Sequence, residues 1–133
     1  MLFRSPHAHA LIRGIDIDGA LGCDGVVAIW TFADLGRAGQ PLPIIPPHPA
    51  LNGRNCFLLA NERVRYVGEA VAVAVATSQA LADEARDRVE VEYEPLDSAQ
   101  ALSGADIPAV HDDIDDNRAG VVTLSTEIGR AHV

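Results

Sequence analysis

Hydrophobic positions follow three different periods between Val64 and Leu96. Val71 to Ala76 is apolar at every position. That pattern predicts a short strand covered on both faces, and so central in its sheet. Thr77 or Ser78 then offers an N-cap. Leu81, Ala85 and Val89 follow at four-residue spacing, with Asp83, Glu84, Arg86, Asp87 and Arg88 on the other faces. This predicts one main amphipathic helix over about residues 78–88. Val89, Val91 and Tyr93 next alternate with Glu90, Glu92 and Glu94, a strand with one buried and one charged face that Pro95 ends. The switch from helix to strand falls near Arg88.

The first part of the chain is patterned in shorter pieces. Leu2 to Arg4 and Ala10 to Ile17 read as extended, with Pro6 breaking any pairing between them. Ile15 and Ile17 alternate with Asp16 and Asp18. Gly19 to Cys23 predicts a short helical turn, Val26 to Thr31 a strand preceded by Gly25, and Phe32 to Leu35 one helical turn. Gly36 to Cys56 predicts a long irregular loop, because five of the eight prolines lie between Pro41 and Pro49. Its apolar pair Ile44–Ile45 favours packing against a partner. Gly68 predicts a turn or bulge ahead of the central strand. Beyond Leu96, Ser98 to Leu102 predicts a turn of helix, Ile107 to Val110 a weak strand, and His111 to Asn117 an acidic surface loop or linker.

Composition narrows the function classes. The chain has 133 residues, one domain by length, with 48% hydrophobic residues. Its net charge of −9 argues against a nucleic-acid or anionic-membrane partner, since both need a basic face. All ten basic residues are arginine, which excludes a Schiff-base or P-loop lysine and a lysine-borne prosthetic group. Cys23 and Cys56 stand alone, 33 residues apart, and read as small hydrophobes in a reducing cytoplasm. No apolar run approaches the roughly 18 residues of a membrane-spanning helix, and the N-terminus carries no signal-peptide pattern.

Candidate chemistry is sparse. His7 and His9 sit two apart, as two ligands on one strand face would, but no third ligand lies close in sequence; hydrogen bonding or packing is the stronger reading. Asp112, Asp113, Asp115, Asp116 and Asn117 suggest a calcium loop. Counted from Asp113, however, Arg118 stands where glycine belongs and Leu124 where glutamate belongs, so a solvated acidic loop is favoured. Glu69 follows Gly68 at the head of the buried strand and invites a general acid or base reading. The alternative is a carboxylate paired with Arg63 or Arg65, or bonded to backbone amides. No G-x-G-x-x-G, G-x-S-x-G or Walker pattern is present. The residues alone therefore describe an α+β domain to which no catalytic, metal-binding or cofactor-binding residue is assigned.

RSPHAHALIRGIDIDGAL (Arg4 to Leu21), GVVAIWT, VRYVGEAVAVAVA and VEVEYEPL occur in this order and spacing. With these motifs the chain resembles the N-terminal a/b hammerhead domain of the molybdenum hydroxylase large subunit. That family includes xanthine dehydrogenase, aldehyde oxidase and aerobic carbon monoxide dehydrogenase. The similarity runs from about Leu2 to Leu102. Ala70 stands where the family usually has proline after Gly-Glu, and the Gly-Asp element that follows the domain in the family is not clear after Asn117.

The resemblance implies an α+β hammerhead fold, a mixed sheet with one main helix. It implies a full subunit holding a molybdenum–molybdopterin cofactor, commonly the cytosine dinucleotide form in bacteria. Water-derived oxygen would reach substrate at molybdenum with the help of a glutamate in a later domain, and electrons would pass to [2Fe-2S] centres and FAD, often on separate subunits. The expected partners are the remaining cofactor domains and the iron–sulfur and FAD subunits, in the cytoplasm. The substrate stays open among purines, aldehydes, carbon monoxide and N-heterocycles. The hammerhead portion would be a non-catalytic scaffold, with Gly36 to Cys56 as a contact loop; deleting Pro41 to Pro49 is then expected to weaken subunit assembly.

The expected division is 1–111 hammerhead domain, with an incomplete N-terminus, 112–126 acidic linker toward later cofactor domains, and 127–133 sequencing-adapter read-through. Back-translation of Glu127 to Val133 matches a common sequencing-library adapter, which such reasoning sets aside. Two other readings stand beside the scaffold: a stand-alone binding or regulatory α+β module without redox activity, and a poorly supported small hydrolase using Glu69.

Overall fold

The structure is a computed structural model describing residues 1–43, 49–50, 57–101, 106–112, 114 and 116–125. Its strands are Leu2–Arg4 (β1), Ala10–Asp16 (β2), Val26–Thr31 (β3), Arg63–Val64 (β4), Ala70–Ala76 (β5) and Glu90–Pro95 (β6). The α-helices are Asp18–Leu21 (α1) and Gln79–Asp87 (α2), and two 3-10 turns span Phe32–Asp34 and Gly36–Gly39. The α+β arrangement with one main helix is borne out. The strands divide between two three-stranded sheets, ordered β1-β5-β3 and β4-β2-β6, and every described pairing is antiparallel.

β5 is central in the first sheet, as its unbroken apolar run requires. Successive side chains leave a strand on opposite sides. Ala72 and Ala74 face α1 and α2, in a cluster with Ala20, Ile29, Ala85 and Val89. Val71 faces the second sheet, in a cluster with Ala10, Ala60 and Val64. Small alanines on both partners let α2 lie close against the sheet. Val71 is fully buried, worth about 1.5–3 kcal/mol for a side chain of that size.

α2 begins where the sequence offers a cap. Ser78 is extended, and its side chain accepts a hydrogen bond from the Leu81 backbone amide. Ala82 and Ala85 carry the buried face. Leu81 is half-buried and turns toward Gly25. Gly25 has φ +71°, and a Cβ there would stand 2.6 Å from Thr77 Oγ1 and 2.7 Å from Leu81 Cδ1. The turn before β3 therefore needs glycine twice over, for its backbone angle and for its lack of a side chain. β6 alternates as its sequence does: Val91 and Tyr93 half-buried, Glu90, Glu92 and Glu94 exposed.

Three local expectations change. Residues 98–101 form no helix, and Leu102 lies outside the described residues. Ile107–Val110 is not a strand; the Val110 amide donates instead to Asn117 Oδ1 at 2.8 Å, so a side chain takes the bond a neighbouring strand would have made. The long loop begins with the 3-10 turn Gly36–Gly39, which carries none of the prolines. Residues 44–48 and 51–56, including Ile44, Ile45 and Cys56, lie outside the described residues. Cys23 is buried, its thiol directed at the Gly19 carbonyl at 3.6 Å, as a small hydrophobe with a weak donor.

Candidate functional site

Ser5, His9 and Glu69 are the buried polar or charged residues among those described. They come from the two recognisable motifs, RSPHAHA and VRYVGE, which meet where the two sheets join. The meeting is built by backbone hydrogen bonds. Ser5 N donates to Glu69 O at 2.9 Å, and Gly68 N donates to Ser5 O at 2.8 Å. Arg4 Nη1 donates to the Gly68 carbonyl at 2.7 Å. Gly68 holds φ +89°, the turn conformation its position predicts.

Glu69 uses its carboxylate locally. Oε2 accepts the Arg65 backbone amide, while Glu69 N donates to Tyr66 O at 3.2 Å. A buried carboxylate is stabilised by such donors. This is the structural alternative to an acid–base role, bonding to backbone amide. Ser5 is likewise engaged: its Oγ accepts the His7 amide at 3.0 Å. Among the described residues, the side chains of Ser5 and Glu69 bond to backbone groups, the His7 amide and carbonyl and the Arg65 amide.

The two histidines part company. The His7 ring leans on Tyr93, with centroids 4.7 Å apart. The His9 ring, 6% exposed, places Nδ1 2.8 Å from the Asp97 carbonyl. A carbonyl only accepts, so Nδ1 is the donor of this bond. Nε2 of the same ring has no partner among the described residues. Leu96 N donates to His9 O at 2.9 Å, fixing the loop against the end of β6. Burial pushes the Tyr93 phenol above its usual range. The nearby Ser5 side chain offsets part of that rise without reaching hydrogen-bond geometry with the Tyr93 hydroxyl.

The acidic segment divides its carboxylates among arginines. Arg63 grips Asp112 through two bonds, Nη1 to Oδ1 at 2.9 Å and Nη2 to Oδ2 at 3.1 Å. The hydrogen bond and charge of Arg63 hold the Asp112 carboxyl below the usual carboxylate range, although Asp112 is exposed. Asp116 pairs with Arg118, and Asn117 closes a loop by donating to Pro108 O at 2.9 Å while accepting from Val110. Ile114 is buried within this segment, and Asp113 and Asp115 lie outside the described residues. Among the described residues, no three His, Cys, Asp or Glu side chains gather as a metal site would require. The Arg63–Asp112 pair was invisible in sequence, since 49 positions separate its members and no periodicity links them. The same holds for His7 and Tyr93.

What the arrangement does is hold: it joins the β1–β2 loop, the turn before β5 and the end of β6 into one seam. That seam coincides with the motifs by which a family is recognised. Residues 1–97 match the model of the aldehyde oxidase and xanthine dehydrogenase a/b hammerhead domain. The chain belongs to that family. This hammerhead domain is 39% identical over 123 residues to the carbon monoxide dehydrogenase large chain of Afipia carboxidovorans, covering 88% of this chain and 14% of that protein. It is similar in structure to quinoline 2-oxidoreductase of Pseudomonas putida 86, with TM-score 0.67 and 40% identity over 72% of this chain and 12% of that one. The aldehyde oxidoreductase of Desulfovibrio gigas superposes with TM-score 0.74 at 27% identity, over 85% of this chain and 13% of that one. The chain thus spans about one seventh or less of these three proteins.

Proposed function

We propose that the chain is the non-catalytic N-terminal scaffold of the large subunit of a molybdopterin-dependent oxidoreductase. The observation that carries this is the match of residues 1–97 to the hammerhead domain, in a chain covering 14% of a relative named as a large chain. In this reading the complete subunit hydroxylates its substrate with water-derived oxygen, and electrons leave to [2Fe-2S] centres and FAD in partner subunits or domains. The residues here do not fit those groups. A [2Fe-2S] centre is held by four cysteines and this chain has two. The dinucleotide fingerprint is missing from its sequence. The molybdopterin group, in its cytosine dinucleotide form, would be held by later domains.

The relatives named above act, by their names, on carbon monoxide, quinoline and aldehydes. One scaffold serving such unlike substrates is consistent with substrate choice lying in other domains. We place the protein in the cytoplasm; no helix among the described residues is long and apolar enough to cross a membrane.

The test is to sequence the source locus from Val122 onward, then purify the encoded subunit with its neighbours and measure molybdenum and pterin. A frame running past Thr126 into a long cofactor-domain sequence, with molybdenum co-purifying, is the expected result. A genomic stop directly after Val133 overturns the reading in favour of a stand-alone binding module.

A further inference from the structure

The outer face of the second sheet carries basic groups that the strand pattern would leave in water. Ala10 stands across from Val64 and Leu11 across from Arg63. Ala10 and Val64 belong to the core between the sheets. Successive side chains leave a strand on opposite sides, so Leu11 and Arg63 point outward. Yet only 17% of the Arg63 side chain is exposed. His9, one residue before β2, is more deeply buried still. Its Nδ1 and its carbonyl bond to Asp97 and Leu96, where the chain leaves β6.

The acidic stretch beyond returns to this face. Its described residues from Asp106 to Asn117 close on themselves. Asn117 takes φ +56°, which asparagine tolerates. Its side chain accepts the Val110 amide and donates to the Pro108 carbonyl. Ile114 N donates to His111 O at 3.1 Å, and Ile114 is buried. The loop is therefore shaped by its own bonds, and Asp112 ties it to the sheet through the two-bond grip of Arg63. The Asp112 carboxyl feels Arg63 most strongly, and then the charges of Arg65 and His9. One carboxylate thus answers three basic side chains from β4, the residues after it and the β1–β2 loop.

We propose that this loop is a clasp over the outer face of the second sheet, latched by Asp112 on Arg63, and that its opening uncovers His9. The inference goes beyond the large-subunit reading and does not depend on it. The Asp112 side chain is 80% exposed, so salt reaches the latch and the pair holds weakly. A weak latch on a loop with its own internal bonds opens as a unit while both sheets stay folded.

The experiment is diethyl pyrocarbonate labelling of the native polypeptide that carries this chain, in wild type and Asp112→Asn. Labelling is read at His7 and His9 by fragmentation of the peptide from Ser5 to Arg13. His7, half-buried against Tyr93, is the internal standard. At low salt His9 labelling should rise about two- to fivefold in Asp112→Asn, as loss of a partly screened ion pair gives, with His7 unchanged. In about 1 M salt, where screening acts beyond about 3 Å, His9 labelling should rise in wild type and stay where it is in the variant. His9 labelled alike in both proteins and at both salt levels overturns the proposal, because the latch then does not control access. His7 and His9 rising together also overturns it, because the whole β1–β2 loop has then loosened. The wild-type salt comparison decides the matter if Asp112→Asn does not fold.

Discussion

The Ser5 amide donates to the Glu69 carbonyl at 2.9 Å, across 64 positions of sequence. The Gly68 amide answers with a bond to Ser5 O at 2.8 Å. This reciprocal pair ties the loop after β1 to the turn before β5, so the two most recognisable motifs support one another. The Glu69 side chain holds the same turn from inside by accepting the Arg65 amide.

That bond sets the first prediction. Glu69→Ala leaves a part-buried amide without its acceptor and should lower stability by about 1–3 kcal/mol. Glu69→Gln keeps an acceptor of the same shape and should lose less. Urea unfolding of both variants checks the order; equal losses would assign the effect to the carboxylate charge that both variants lack, not to a retained acceptor.

Gly25 and Gly68 both have positive φ, but their surroundings differ. Alanine at Gly68 meets no heavy atom within 4 Å, and should cost about 1–2 kcal/mol from backbone strain alone. Alanine at Gly25 adds collisions with Thr77 and Leu81 to the same strain, and should cost about 1–3 kcal/mol more. Thermal unfolding of the two variants decides it, and a Gly68 variant less stable than the Gly25 variant would contradict the packing described.

Ser78 is the cap of α2. Ser78→Ala should cost about 1 kcal/mol, and Ser78→Asp should keep most of the stability because aspartate caps as well. Chemical denaturation read by circular dichroism measures both.

The Arg63–Asp112 pair carries a pH dependence. Asp112 is depressed in the folded state, below the ordinary aspartate value of 3.8, by the hydrogen bonds and charge of Arg63. A group depressed on folding contributes its stability above the unfolded value and loses it as pH falls through the folded one. The pair should therefore be intact at neutral pH and fail only below about pH 3.8. A carboxyl-carbon NMR titration should place the Asp112 midpoint under that value and see it rise in Arg63→Gln. An unchanged midpoint would show that the pair does not form in solution.

Much of the fold was legible from periodicity. The AVAVAVA run could only be a covered strand, Ser78 was set to cap the following helix, and Glu90, Glu92 and Glu94 could only line a wet face. These are local consequences of side-chain spacing, and the structure keeps all three. Residues 98–101 and Ile107–Val110 were misread because their patterns are short and weak, and in the second case the Asn117 side chain supplied a bond that sequence periodicity does not encode. The seam was legible only in part: Glu69 could be narrowed to acid or structural anchor, and the geometry shows the bond to the Arg65 backbone amide that the anchor reading expects.

By itself the sequence determined the element types, the glycine turns, the family and the exclusion of lysine chemistry, because each depends on residues near one another or on composition. The tertiary structure alone decided that the strands split into two sheets and that His7 and His9 serve different neighbours. It alone brought Arg63 to Asp112 across 49 positions, and left Trp30 half-exposed. Those outcomes depend on which distant segments meet. Such meetings are fixed by the summed packing of both sheets, and no single stretch of sequence contains that sum.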